Sequence, residues 1–303
     1  MKSIGRYILM AIAGCCLWAC NSSDKSPNGD IKIENLTVLC DDGCYEMFSK
    51  VVADYDSINY TATFDLKRTP AFDCMANLLA GKAKAVIVSR EFSQYEDSLM
   101  KVYKVEPYEG VKIAHDALVF YVKSDAKIDS LTDGQLKDVF TNTGASVQKY
   151  YPASGITEFA CNSQLSSEYF YLKKYILKDK KSALKLKEFS TQDSVVNYVS
   201  KNKNAIGIGF LSQLHGKGEV RALPISFNDS LGNYIFPHVV HQANIVRGFY
   251  PYKITHYIYV FDKTKDVPMA LTRFLSKSAK GQRFFNEYGI VPAFARIKLT
   301  IEE

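Results

Sequence analysis

Three short stretches of this 303-residue chain combine backbone donors with small or hydroxyl-bearing side chains: Asp42-Gly43-Cys44, Ser89-Arg90 and Ser154-Gly155-Ile156-Thr157. The first breaks an apolar run and precedes a helical pattern. The second ends an apolar run. The third stands before a segment that reads as a helix. A helix N-terminus offers unpaired N–H groups and the positive end of the helix dipole, so such positions can hold an anion. Ser and Thr hydroxyls add donors, Gly155 clears space for a close approach, and Arg90 could grip an oxyanion through two parallel N–H groups. Each also has an ordinary reading: Ser154 as a helix N-cap, Arg90 as the ion-pair partner of Glu91 or Asp97, Asp41 and Asp42 as turn or cap residues. His115-Asp116 precedes an apolar run. His115 reads as a structural histidine, and Asp116 as a carboxylate that orients the strand or accepts a proton from a ligand.

Catalytic and metal-binding patterns are sparse. Ser124-Asp-Ala-Lys127 matches Ser-x-x-Lys but follows a strand and lacks its partner motifs. No Gly-x-Ser-x-Gly occurs, and the five histidines show no metal-ligand spacing. Cys40-x3-Cys44 has no second pair downstream, which argues against a zinc site. A nucleophilic pair such as Cys44 with His115 is the one enzymatic alternative beside a serine nucleophile. We expect no enzyme, no cofactor and no metal.

The composition, with 47% hydrophobic and 23% charged residues, is that of a globular chain with a sizeable core. Net charge is +6, and the densest basic run, Lys178-Asp179-Lys180-Lys181, carries an acid and no aromatic platform. It reads as a solvated segment, not a nucleic-acid footprint. At the N-terminus Lys2 and Arg6 precede an apolar run from Tyr7 to Trp18, too short to span a bilayer. It ends in Leu17-Trp18-Ala19-Cys20, which resembles a bacterial lipobox, with Ile12-Ala13-Gly14-Cys15 as the alternative. We read residues 1–19 as a signal peptide, Cys20 as the lipidation site, and residues 20–33 as a flexible tether. That places the protein in the cell envelope, lipid-anchored, facing the periplasm or the cell surface. Outside the cytoplasm Cys40, Cys44, Cys74 and Cys161 can pair in three ways, with Cys40–Cys44 the leading disulfide.

The elements that must position these residues alternate. Leu36–Cys40, Lys84–Val88, Ala117–Val122, Ala205–Phe210 and His256–Phe261 read as strands. Met47, Phe48, Val51, Val52 and Tyr55 share one helical face. Ser93-x-x-Glu96 and Thr132-x-x-Gln135 are capping boxes that open helices. Gly207 and Gly209 let something approach the backbone of their strand. Two helices start near Val267 and Lys280, and Gly289 stops the second. Strand–helix alternation of this kind predicts an α/β fold with mostly parallel sheets covered by helices.

The order of motifs resembles the phosphate-binding-protein-like family of ABC-importer substrate-binding proteins, a branch of the type 2 periplasmic binding proteins. The resemblance runs from Leu36 to Pro292. It rests on the strand and helix flanking Asp41-Asp42-Gly43 and on Val86-Ile-Val-Ser-Arg-Glu. It rests also on Ala117–Val122 leading into Leu131-Thr-Asp-Gly-Gln-Leu, on Ser154-Gly155-Ile156-Thr157-Glu158-Phe159 beside the family's Ser-Gly-Thr-x2-Phe, and on Tyr250–Val260. The resemblance implies two lobes, residues 34–116 with 254–303 and residues 117–253, joined by two crossing hinge strands. It implies a monomer that captures a small oxyanion, phosphate first, between the lobes for an ABC permease. The expected ligand set is Asp42, Gly43, Ser89, Arg90, Asp116, Ser154, Gly155, Ile156 and Thr157. With Ser154 on the family's Ser, Tyr150 and Pro152 stand where the family has an Arg and an Asp. A sensing or scaffold protein with a different ligand is the alternative.

Overall fold

The computed structural model describes residues 34–104, 109–178 and 180–294. The expected signal peptide, Cys15, Cys20 and the expected tether lie outside the described residues. The chain begins β1 (Glu34–Asp41), α1 (Asp42–Asp56), β2 (Ala62–Thr69), α2 (Ala71–Leu79), β3 (Ala85–Val88), α3 (Gln94–Val102) and the thirteen-residue β4 (Val111–Lys123). α1 buries Met47, Phe48, Val51 and Val52, the face its spacing predicts. All four residues of β3 are buried, as a strand covered on both faces requires. Next come β5 (Leu131–Thr132), α4 (Asp133–Thr141), α5 (Val147–Tyr150), β6 (Glu158–Asn162) and α6 (Ser167–Leu172), which runs on as a π turn to Leu177. β7 (Lys187–Phe189), α7 (Gln192–Lys201) and β8 (Ala205–Phe210) follow, then a 3-10 turn over Leu211–Leu214. The remainder is β9 (Val220–Ala222), β10 (Ile225–Asn228), β11 (Tyr234–Ile235), α8 (Gln242–Val246), β12 (Lys253–Val260), α9 (Asp266–Lys277), α10 (Ala279–Glu287) and β13 (Val291–Pro292).

Both capping boxes form, at α3 and α4, and Gly289 adopts φ +85° just past α10, the left-handed stop its position predicts. The helix expected after Ser154 does not. Gly155 turns left-handed at φ +68°, which ends a one-turn 3-10 segment, and strand β6 follows.

One ten-stranded sheet runs β2-β1-β3-β12-β4-β8-β6-β7, with β13 and β9 also pairing β4. Its outer parts are parallel (β1 with β2 and β3, β6 with β7 and β8), and its middle, β3-β12-β4-β8, is antiparallel. The apolar cores divide along the two central strands. On β4, Ala114 belongs to the core with Phe48 and Phe285, whereas Ala117 belongs to the core with Phe120 and Phe140; on β12, Ile258 and Ile254 divide the same way. Asp116 therefore sits where β4 passes from one core to the other.

No disulfide joins Cys40 to Cys44: Cys40, Cys44, Cys74 and Cys161 are all buried free thiols. Cys44 Sγ donates to the carbonyl of Asp41 at 3.4 Å, and Cys40 Sγ lies 3.8 Å from the same oxygen. Both thiols point at one backbone acceptor, and burial raises the pKa of each.

Candidate functional site

The C-terminal ends of β1, β3, β6 and β8 converge on one polar cleft between the two cores, closed in this structure around buried Asp41, Ser89, Asp116 and Glu168, the position at which open parallel sheets present ligand sites. Asp41 is the N-cap of α1 and is fully buried. One of its carboxylate oxygens accepts from Gly43 N at 3.3 Å, and the other accepts from Ser89 N at 3.3 Å. Burial raises the pKa of Asp41, opposed by the nearby Ser167 hydroxyl and by the hydrogen bonds from those two amides. Asp42 reaches across the cleft. It accepts from Arg68 Nη1 at 2.9 Å, from Asn162 Nδ2 at 2.7 Å and from Gln192 N, in the first turn of α7, at 2.7 Å.

Glu168, in the first turn of α6, comes back from the opposite side. It is fully buried, accepts from Gln213 Nε2 at 2.7 Å through Oε1, and has no partner for Oε2. The same amide of Gln213 donates to Gly43 O at 2.5 Å. A Cβ on Gly43 would stand 2.4 Å from Glu168 Oε1, so glycine is what admits this carboxyl against α1. Burial, and then the negative charge of Asp41, push the pKa of Glu168 up to about 8. Asp41 has several donors and Glu168 one, so of this coupled pair Glu168 keeps the proton.

A second buried chain of hydrogen bonds closes the cleft floor. Ser89 Oγ lies 2.9 Å from His256 Nδ1, and His256 Nε2 lies 3.1 Å from Asp116 Oδ2, with all three residues fully buried. Asp116 also accepts from Ala117 N at 2.6 Å and from Ser212 N at 3.3 Å. Burial lowers the pKa of His256, but its hydrogen bond to Asp116 and the neighbouring Cys44 outweigh this and lift it to about 9. The order Ser–His–Asp resembles a hydrolytic triad, yet the serine meets Nδ1 and the carboxylate Nε2, the reverse of the usual assignment. With no exposed atom in the set, the arrangement fastens β3, β12 and β4 together. His115, read as a structural histidine with a Cys44 pair as the enzymatic alternative, bonds Thr255 Oγ1 at 2.9 Å, and burial first, then Lys253, lowers its pKa to about 4.

Of the residues expected to bind ligand, the structure brings Asp42, Gly43, Ser89 and Asp116 together. Arg90 is adjacent, but its fork is taken: Nη1 and Nη2 bond the two carboxylate oxygens of Glu96 at 2.7 and 2.8 Å, and both side chains are buried. The ion-pair partner is Glu96, not Glu91 or Asp97; of Glu91 only the main-chain carbonyl accepts, from Nη1 at 3.0 Å. Ser154, Gly155, Ile156 and Thr157 are not in the cleft. Ser154 Oγ donates to Tyr151 O at 2.7 Å, Thr157 N to Asn204 O at 2.9 Å, and Ile156 and Thr157 line a separate hollow with Val147 and Leu184. They lead into the N-terminal end of β6, whose far end, Asn162, touches Asp42. A five-residue strand puts the two ends roughly 16 Å apart.

The cleft residues absent from the sequence reading are Arg68, Asn162, Ser167, Glu168, Gln192, Gln213 and His256. One signal could have found the segment after β6. Ser166-Ser167-Glu168-Tyr169-Phe170-Tyr171 keeps a serine and, at the sixth place, an aromatic, and it follows a strand as a ligand loop should. Gly207 and Gly209 do admit close neighbours, and these are the protein's own Tyr121, Gln192 and Gln213. Among the described residues no group of side chains is arranged to hold a metal ion, and no helix is long and apolar enough to cross a membrane.

A model of the PBP superfamily domain matches residues 25–284. No curated protein sequence matches the chain. Among solved structures, a Clostridium perfringens protein named as a phosphate ABC-transporter substrate-binding protein, with bound phosphate, is similar at a TM-score of 0.72 and 13% identity, over 86% of this chain and 100% of that one. An ABC-type phosphate transport receptor from Vibrio cholerae is similar at 0.62 and 14%, over 84% and 99%. A regulatory domain from Synechocystis in complex with 2-PG is similar at 0.54 and 9%, over 80% and 95%. At these identities the likeness is one of fold, that of the two-lobed type 2 periplasmic binding proteins.

Proposed function

The chain belongs to the PBP superfamily, and we propose accordingly that it is an extracytoplasmic solute-binding lipoprotein, anchored through Cys20, that captures a small oxyanion for an ABC importer and catalyses no reaction. The lobes of this reading are residues 34–116 with 254–303 and residues 117–253, hinged where β4 and β12 pass between the cores. The observation that carries it is the meeting of the first turns of α1, α6 and α7 with Ser89 and Asp116 in one cleft between the cores. Phosphate is the first ligand to test, because Asp116, Asp41 and Asp42 are acceptors and phosphate near neutral pH still carries a proton to donate. One observation favours a second reading, a neutral or cationic solute rich in donors: Gln192 Oε1, an acceptor, is buried in the cleft without a hydrogen-bond partner.

A melting screen of dialysed protein with phosphate, sulfate, molybdate, a phosphonate and neutral sugars separates these. Ligand at a hundredfold above its dissociation constant adds about 2.7 kcal/mol, a shift on the order of 5–10 °C for a chain of this size. A shift with phosphate, confirmed by calorimetry, is the expected result. A flat response to every oxyanion would end the phosphate reading.

A further inference from the structure

Glu168 is the one acidic side chain in the cleft whose burial has no explanation in pairing. Among the described residues it takes no ion pair, it has a single hydrogen bond, and one of its oxygens has no partner. A buried, half-satisfied carboxyl is costly and persists only where something else holds it in place. What holds it is geometry: Gly43 has no side chain, and the carboxyl fills the space over the first turn of α1 while Gln213 bridges it to Gly43 O. Asp42 mirrors this on the other lobe, its carboxylate seated on the first amide of α7. Each side of the cleft thus presents a carboxyl group to a helix start on the other.

We propose that Glu168 is a tethered surrogate for the ligand: its carboxyl occupies the oxyanion seat against Gly43 on α1, and a solute oxyanion enters that seat only by displacing it. The inference rests on the solute-binding reading above. It makes Glu168 the residue that sets which charge the cleft accepts. The titratable groups facing it are Asp41 from the end of β1, Asp42 from α1, Tyr121 from β4 and Cys161 from β6, and Gln213 supplies its one neutral donor. None of these brings a positive charge, so an ionised Glu168 repels an incoming anion and a protonated one does not. With its pKa raised to about 8, the side chain is neutral below that pH and obstructs the anion electrostatically above it.

The test uses full-length protein, with acetate and inorganic phosphate as probes. Glu168→Ala leaves a carboxylate-sized space on α1, so acetate and phosphate should each raise its melting temperature by several degrees, with little effect of acetate on the wild type. Phosphate should bind Glu168→Ala at least tenfold more tightly than the wild type at pH 9. Glu168→Gln keeps the volume and removes the charge: phosphate should bind it at least tenfold more tightly than wild type at pH 9 and within about threefold at pH 6.5. The ratio of the two proteins cancels the ionisation of phosphate itself. If Glu168→Ala responds to acetate but not to phosphate, the surrogate stands and phosphate capture falls. If wild type and both variants bind phosphate alike at both pH values, phosphate capture stands and the surrogate is overturned. If Glu168→Ala is folded and responds to neither probe, or if Glu168→Gln alone can be purified and shows no gain at pH 9, the surrogate is overturned.

Discussion

Arg90 has the chemistry of an oxyanion clamp and is committed elsewhere, because Glu96, in the first turn of α3, belongs to a capping box that aims its carboxylate back at the loop. Burial pushes the pKa of Glu96 up, but Arg90 outweighs it and holds it below the ordinary value. Removing one partner of such a pair strands the other charge, so Arg90→Ala should cost about 3–5 kcal/mol in chemical denaturation. It should leave any ligand response of the surviving folded protein intact. The His256–Asp116 contact makes a pH prediction. The folded pKa of His256, about 9, lies above its ordinary value, so the contact's contribution is complete below about pH 6.5 and is lost as pH rises through 9. A rise of that size is worth at most roughly 3 kcal/mol. Denaturation midpoints should therefore fall between pH 6.5 and 9.5 in the wild type, and His256→Gln should flatten that window. Sequence singled out Ser89 and Asp116, which the fold joins through His256, but not His256 itself, because a lone histidine in an apolar strand carries no sign of what the neighbouring strands will place against it.

At the scale of elements, local chemistry was legible wherever its signal was complete within one turn or one strand. The boxes at Ser93 and Thr132 formed as read because both halves of the motif lie within four residues. Thr132→Ala should accordingly cost about 1 kcal/mol, measurable in denaturant, with no change in ligand response. Ser154 failed for the complementary reason. Its motif is equally short, but which end of a strand it occupies depends on the strand that follows, and Thr157 to Asn162 carries too little periodicity to separate helix from strand. The glycines of β8 were readable as points of close approach, while the identity of the approaching group, here Tyr121 and two glutamines, is a tertiary fact.

For the whole molecule, the two crossing strands were expected only through the family resemblance, while the α/β alternation was legible in the spacing of the apolar runs. The occupancy of the cleft was not, since Asp42 and Glu168 lie 126 positions apart and meet only when the two cores close on each other. The proposed anchor at Cys20 is tested separately: Cys20→Ala should move the expressed protein from the membrane fraction to the soluble pool, or block its processing, and wild type found wholly soluble with an unacylated N-terminus would exclude the lipid. The central claim, capture of a solute between the cores, is tested most directly by hydrogen exchange with and without phosphate on a sample whose binding heat has been measured. The account predicts added protection at both sides of the cleft together, in the first turn of α1 and the Ser89 loop on one side and the first turns of α6 and α7 on the other. Binding heat without protection at these segments, or with protection confined to one core, would contradict it.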